Sequence, residues 1–172
     1  MQLEEGNFKA QVELLSSKND SATRSTIRQL KLTVGKASKT VWHYLFEGWP
    51  DFGIPEGEDR VALLELVKQT ASKAVVKDSS MSNAQTEAHN PRIVHCSAGV
   101  GRSGTFIALD YLLTELVEGA LDDVKDEDDR IAECVDNLRS QRMMMVQGDV
   151  QFYFLYEVLK EQWIQRRAKL QE

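Results

Sequence analysis

Three features of the sequence predict an α/β fold. An aromatic, alternating run stands at residues 40–46, and several later segments carry apolar residues at helical spacing. At residues 93–105 a β-branched run passes through a short glycine-containing loop directly into an apolar helical stretch. Strands are predicted near 8–16, 26–34, 40–47 and 92–95, and helices near 58–76, 103–118, 127–141 and 148–167.

Taken in order, Thr40-Val41-Trp42-His43-Tyr44-Leu45-Phe46 alternates as a strand does. Leu63, Leu64, Val67, Ala71 and Val75 give the first helix a buried face. Lys77 to Pro91, rich in Ser, Asn and Thr, reads as an exposed loop. Ile93 and Val94 form a short strand ahead of Cys96. Asp122 to Asp129 holds six acidic residues and one lysine, a solvated turn and helix start, with a docking surface for basic partners as the alternative. Ile131, Cys134, Val135 and Leu138 share a helical face, which predicts a buried Cys134 thiol. Phe152, Leu155, Tyr156, Leu159 and Trp163 form the apolar stripe of the last helix. His43 and His89 read as strand and loop residues rather than ligands.

Composition bounds the function. At 172 residues the chain can bury one core, and its 42% hydrophobic and 28% charged content is ordinary. No apolar run approaches the ~20 residues of a membrane span, and no signal-peptide pattern opens the sequence. The net charge of −6 argues against nucleic acid as a partner. Two cysteines without metal-ligand spacing predict neither a disulfide framework nor a metal site.

The chemistry concentrates in Ile93-Val-His-Cys-Ser-Ala-Gly-Val-Gly-Arg-Ser-Gly-Thr105. A strand, tight loop and helix start aim successive backbone N–H groups and a positive helix end at one spot, which suits a dianion. Cys96 stands at one end of that loop and Arg102 at the other. A helix N-terminus and a nearby arginine lower a cysteine pKa below its free value of ~8.5, and only the thiolate attacks. Arg102 offers a planar fork that matches two phosphate oxygens. Gly99 and Gly101 let several amides converge, and Ser103 is placed to hydrogen-bond the sulfur. Upstream, proline and glycine flank Asp51 in Trp49-Pro50-Asp51-Phe52-Gly53, which marks a loop. Downstream, Gln147 and Gln151 stand four apart at the start of the last helix.

His-Cys, five residues, then Arg-Ser resembles the phosphate-binding loop of the protein tyrosine phosphatase family. Trp49-Pro50-Asp51 resembles that family's mobile lid, and Val146-Gln147-Gly148-Asp149-Val150-Gln151 its glutamine loop. Thr26-Ile27-Arg28-Gln29-Leu30-Lys31-Leu32 resembles the strand before the lid, and Arg139 and Arg142 match two basic positions that brace the site from behind. The wording is closest to fungal, non-receptor members.

The resemblance implies a mixed twisted sheet with helices on both faces, and one catalytic region over 1–172 whose domain lacks its N-terminal part. That part carries the aromatic wall for the phosphotyrosine ring. The implied substrate is a phosphotyrosine-containing protein. Cys96 attacks phosphorus, and Asp51 protonates a leaving phenol of pKa ~10. Gln147 places the water that hydrolyses the phosphocysteine. Arg102 with the loop from Ser97 through Ala98, Gly99, Val100 and Gly101 binds phosphate, Phe52 and Gln151 complete the pocket, Trp49 and Pro50 carry the lid, and His95 supports the loop. No cofactor or metal is implied, because Arg102 and the loop dipoles supply the positive charge. A reactive thiolate implies cytosol or nucleus. Gly48 departs from the family, which more often has a side chain there, and implies a looser lid. The alternatives are a dual-specificity or phosphoinositide phosphatase with a shallower pocket, and a phosphate-binding fragment without turnover.

Overall fold

A computed structural model of the chain describes residues 1–5, 8–76, 88–89, 91–125 and 127–171. The chain divides into two compact units, Met1–Gly48 with Glu56–Glu65, and Trp49–Pro55 with Leu66–Glu172.

The first unit is built on a sheet in the order β1 (Gln2–Glu5), β2 (Phe8–Asp20), β3 (Ser25–Val34) and β4 (Ala37–Phe46). Leu14 stands opposite Leu30, and Leu30 opposite Val41, so the alternation in the sequence becomes rows of cross-strand apolar neighbours. A two-residue turn at Gly35 (φ +58°) and Lys36 joins β3 to β4, with Val34 paired to Ala37. At the β2–β3 end, Thr23 donates to Asp20 Oδ2 from its backbone N–H (3.1 Å) and its hydroxyl (2.8 Å). β1 was not anticipated: four residues, two of them charged, carry little strand signal, and pairing with β2 forms it.

The α/β class stands, but these four strands are antiparallel throughout rather than mixed, since every neighbouring pair is consecutive in the chain. The strand expected at 92–95 is not formed. Residues 91–96 are in no regular element and Ile93 is 91% exposed, because a β-branched run becomes a strand only where a neighbour can pair with it.

α1 (Gly57–Ala74) buries Ala62, Leu63, Leu66 and Val67. Leu64 and Ala71 are only half-buried, so the predicted face is rotated. The helix also ends before Val75, contrary to expectation, and Val75–Val76 (β5) pair with Ala88–His89 (β6). Two consecutive β-branched residues favour that ladder over another helical turn. The rest of the expected 77–91 loop lies largely outside the described residues.

α2 (Gly101–Glu118), α3 (Arg130–Gln141) and α4 (Asp149–Leu170) form the helical part of the second unit, with α2 packed on both others. Ala108, Leu109, Leu112 and Leu116 face inward from α2. Gly119 (φ +83°) closes that helix, donating its N–H to the carbonyls of Glu115 and Leu116. Asp129 caps α3 through the N–H groups of Ile131 and Ala132, and also accepts from the Tyr156 hydroxyl. Burial, then the hydrogen bond to Asp129, pushes the Tyr156 pKa up to about 12. Asp122 pairs with Arg166. The acidic stretch is thus partly structural at both ends.

Two expectations fail in detail. The buried face of α4 is Gln151, Phe154, Leu155 and Val158, which shares only Leu155 with the predicted stripe, and Phe152, Tyr156, Leu159 and Trp163 are half-buried on its flank. Apolar residues surround this helix, so periodicity alone does not select the inward face. Cys134 is likewise half-buried rather than buried. Burial, followed by the Glu115 carboxylate, still raises its pKa.

The rotated face is testable. Phe154→Ala should cost about 3–5 kcal/mol in denaturant unfolding, and Phe152→Ala clearly less. Equal losses would restore the face read from the sequence.

Candidate active site

Every residue of the expected site lies in the second unit. The phosphate loop runs from Cys96 to the start of α2, whose N-cap is Val100 and whose first turn holds no acidic residue. Gly99 takes φ +71°, a left-handed angle that turns its N–H onto the Cys96 sulfur at 3.2 Å. Burial alone would raise the thiol pKa. The Ser103 hydroxyl and the N–H groups of Ser103, Gly99 and Val100 outweigh it, and bring Cys96 down to about 7. Ser103 Oγ is itself buried with no hydrogen bond of ordinary geometry. Its effect on the sulfur is therefore that of a nearby hydroxyl rather than of a formed hydrogen bond.

Arg102 is the meeting point. One guanidinium nitrogen donates to Ser97 Oγ (2.8 Å) and pairs with Asp51 Oδ1; the other donates to the Trp49 carbonyl (3.2 Å). The phosphate loop and the lid thus share one cation. In the lid, the Gly53 N–H donates to the Pro50 carbonyl (3.3 Å) and the Trp49 indole N–H to the Gly53 carbonyl (3.0 Å). Trp49 is buried, edge-on to Phe154 at 6.4 Å. Phe52 is 78% exposed at φ +60°, and Asp51 is exposed too.

From the other side, Gln151 is buried and donates to the Gly53 carbonyl at 3.3 Å, while its Oε1 has no partner. A Cβ at Gly101 would stand 3.1 Å from that Oε1 and 3.4 Å from Cβ of Gln147, so both glutamines border the start of α2. Gln147 is exposed. A Cβ at Gly104 would come within 2.5 Å of the Val146 nitrogen, a backbone approach that only glycine permits. There the Val100 carbonyl accepts from both Gly104 (2.9 Å) and Val146 (3.2 Å). Arg139 donates to the carbonyls of Met145 (3.0 Å) and Val146 (2.9 Å), and Arg142 to that of Ala98 (3.1 Å). His95 is exposed beside the loop. No cluster of three or more His, Cys, Asp or Glu placed to share a metal ion occurs among the described residues.

The protein-tyrosine phosphatase family model matches residues 1–161. The chain belongs to the protein-tyrosine phosphatase family. It is 36% identical over 140 residues to the tyrosine-protein phosphatase corkscrew of Drosophila virilis, covering 81% of this chain and 17% of that protein. With tyrosine-protein phosphatase 1 of Saccharomyces cerevisiae it shares 39% identity over 150 residues, 78% of this chain and 40% of the relative. A solved structure of PTPN18 in complex with HER2 phosphotyrosine peptides superposes with TM-score 0.69 at 26% identity, covering 93% of this chain and 48% of that one. The chain thus spans less than half the length of each. No helix among the described residues is long and apolar enough to cross a membrane.

The Cys96–Arg102 loop, residues Trp49 to Gly53 and Gln151 lie together in the second unit, joined through Arg102 and through the Gly53 carbonyl. Two contacts were not foreseen. The Asp51–Arg102 pair joins residues far apart in sequence, and only the folded lid reveals it. The buried Gln151 was read as secondary, because its helical face was misjudged.

The two thiols should titrate on opposite sides of the free value. Alkylation of Cys96 should rise with pH to half its maximum near 7, while Cys134 lags to higher pH. Ser103→Ala should move the Cys96 midpoint upward, which mass spectrometry of each labelled peptide would show. The sign for folding follows from linkage. Between pH 7 and ~8.5 the native thiol has lost a proton that the unfolded chain keeps, so this group adds stability as pH rises.

Proposed function

We propose that this chain is the catalytic region of a protein-tyrosine phosphatase that hydrolyses phosphotyrosine in proteins through a cysteinyl-phosphate intermediate. The observation that carries the reading is the convergence at Arg102, which holds the Cys96 loop through Ser97 and the lid through Trp49 and Asp51. The phosphopeptide complex of PTPN18 supports the substrate class. A thiolate of this kind works in a reducing compartment, and we place the protein in cytosol or nucleus.

In this mechanism the phosphoryl group takes the guanidinium fork of Arg102 and the N–H groups of the loop from Ser97 to Arg102. Asp51 gives up its place on Arg102, takes up a proton from solvent and turns to the ester oxygen. The Cys96 thiolate forms a bond to phosphorus as the phosphorus–phenol bond breaks, and the departing oxygen takes the Asp51 proton. Gln147 then orients a water molecule, and Asp51, now a carboxylate, accepts its proton. The new P–O bond forms as the P–S bond breaks, and the Ser103 hydroxyl stabilises the returning thiolate. Phe52, exposed on the lid, forms a wall of the pocket, and His95 supports the loop. Gln151 holds the lid carbonyl of Gly53.

Four substitutions test these roles in the full chain. Cys96→Ser should abolish turnover while phosphotyrosine peptides still bind, and Cys134→Ser should change activity little. Asp51→Ala should lower turnover of phosphotyrosine about 10²-fold or more, and far less for an aryl phosphate whose phenol is already acidic. Gln147→Ala should give a burst of phenol in rapid-quench kinetics followed by a slow steady rate. Turnover by the Cys96→Ser protein at the parent rate would sink the mechanism.

A further inference from the structure

The segment that brings the chain to Cys96, residues 91–96, lies in no regular element, and Ile93 within it is 91% exposed. The cross-strand ladder of a sheet therefore does not fix it. A side chain ties it down instead. Arg92 donates from Nη1 to Asp110 Oδ1 at 2.9 Å, and its Nη2 pairs with Asp110 Oδ2. The two planar groups meet fork to fork, a geometry that fixes direction as well as distance. The Arg92 and Asp110 side chains are 33% and 19% exposed, and both residues belong to the second compact unit.

Asp110 stands on α2, whose first turn also borders the Cys96 sulfur. Gly99 donates its N–H to that sulfur at 3.2 Å, and the N–H groups of Val100 and Ser103 act on it too. The entering segment is thus held against one helix at both ends, at Arg92 through a side chain and at Cys96 through amides. The lengths agree. From Arg92 to Cys96 the backbone can reach at most about 14 Å, while α2 rises about 10 Å from Ser103 to Asp110. A ring closed over such similar spans leaves the segment little slack. Partly exposed ion pairs contribute little to folding, so the place of this one in the ring matters more than its strength.

We propose that Arg92 and Asp110 are positioning residues for the nucleophile: their fork-to-fork pair holds the segment before the phosphate loop on α2, and so sets where the Cys96 sulfur sits against the loop amides. The inference rests on the reading of Cys96 as the attacking thiolate. Neither residue belongs to the phosphate loop itself.

The test is alkylation of Cys96 in the full chain as a function of pH, read by mass spectrometry of the labelled peptide. Turnover of an aryl phosphate and thermal melts are measured alongside. Arg92→Ala removes a cation, and Asp110→Asn removes an anion while keeping the shape of the side chain. Acting through charge alone, the first would move the Cys96 midpoint upward and the second downward. Loss of position moves both upward, because the sulfur drifts from its N–H donors in either case. Each midpoint should therefore rise from about 7 by about half a pH unit or more, with the Cys134 midpoint unmoved. Turnover near pH 6, where the thiolate is the minor form, should fall at least about threefold. Arg92→Ala with Asp110→Asn should shift the midpoint no further than the larger single change, since both break one pair. Arg92→Lys, which keeps the charge but not the fork, should fall between the parent and Arg92→Ala. Shifts of opposite sign, additive shifts, or an unmoved Cys96 midpoint would overturn the proposal, whatever the melting temperatures do. Upward shifts without loss of turnover would leave the positioning role standing and refute Cys96 as the nucleophile.

Discussion

The guanidinium of Arg102 is the constraint around which the site is arranged. It sits at the start of α2, where the helix end is already positive, and its planar fork donates in two directions at once: to Ser97 of the phosphate loop, and to the backbone and carboxylate of the lid. A lysine would supply the charge but not the two fixed directions. The resting lid thus supplies the cation's counter-ion from Asp51. In the proposed mechanism an arriving phosphoryl group exchanges with that carboxylate instead of meeting a bare charge, and Asp51, once it has taken up a proton, acts on the ester oxygen.

That arrangement depends on a frame behind it. The Val100 carbonyl, accepting from Gly104 and Val146, ties the phosphate loop to the segment that leads into α4. Arg142 holds the Ala98 carbonyl and so turns the outer half of the loop, while Arg139 holds the segment itself through two carbonyls. These arginines are exposed, so the bonds add little to stability by themselves. Their larger effect is geometric, because a loop whose N–H groups must converge on one sulfur and one anion tolerates little drift.

Much of this was legible in residue type and order. Cys96, Arg102 and the intervening glycines specify an anion loop with a nucleophile because few other arrangements require those residues together. Proline and glycine around Asp51 marked the lid. What the sequence concealed was which face each helix turns inward. The first half of α4 carries apolar residues on nearly every side, and there the buried Gln151 reaches the Gly53 carbonyl, a contact between residues ninety-eight apart. The segment 92–95 failed for the complementary reason: strand propensity is realised only when a neighbour pairs, and pairing is not a local property. Val75 and Val76 leave α1 for a two-residue ladder by the same logic.

The segment between α3 and α4 contains two non-glycine residues in left-handed backbone, Met144 at φ +67° and the fully buried Val146 at φ +58°. For a β-branched side chain that conformation is costly, about 1–3 kcal/mol, and it persists because Arg139 and Val100 hold the neighbouring carbonyl and amide groups. Gln147 follows directly and inherits its direction from that twist. A glycine at 146 would relax the backbone and also release the glutamine from its bearing. Stability and direction pull against each other at this one position, because the residue that strains the stretch also fixes how the chain enters the exposed Gln147.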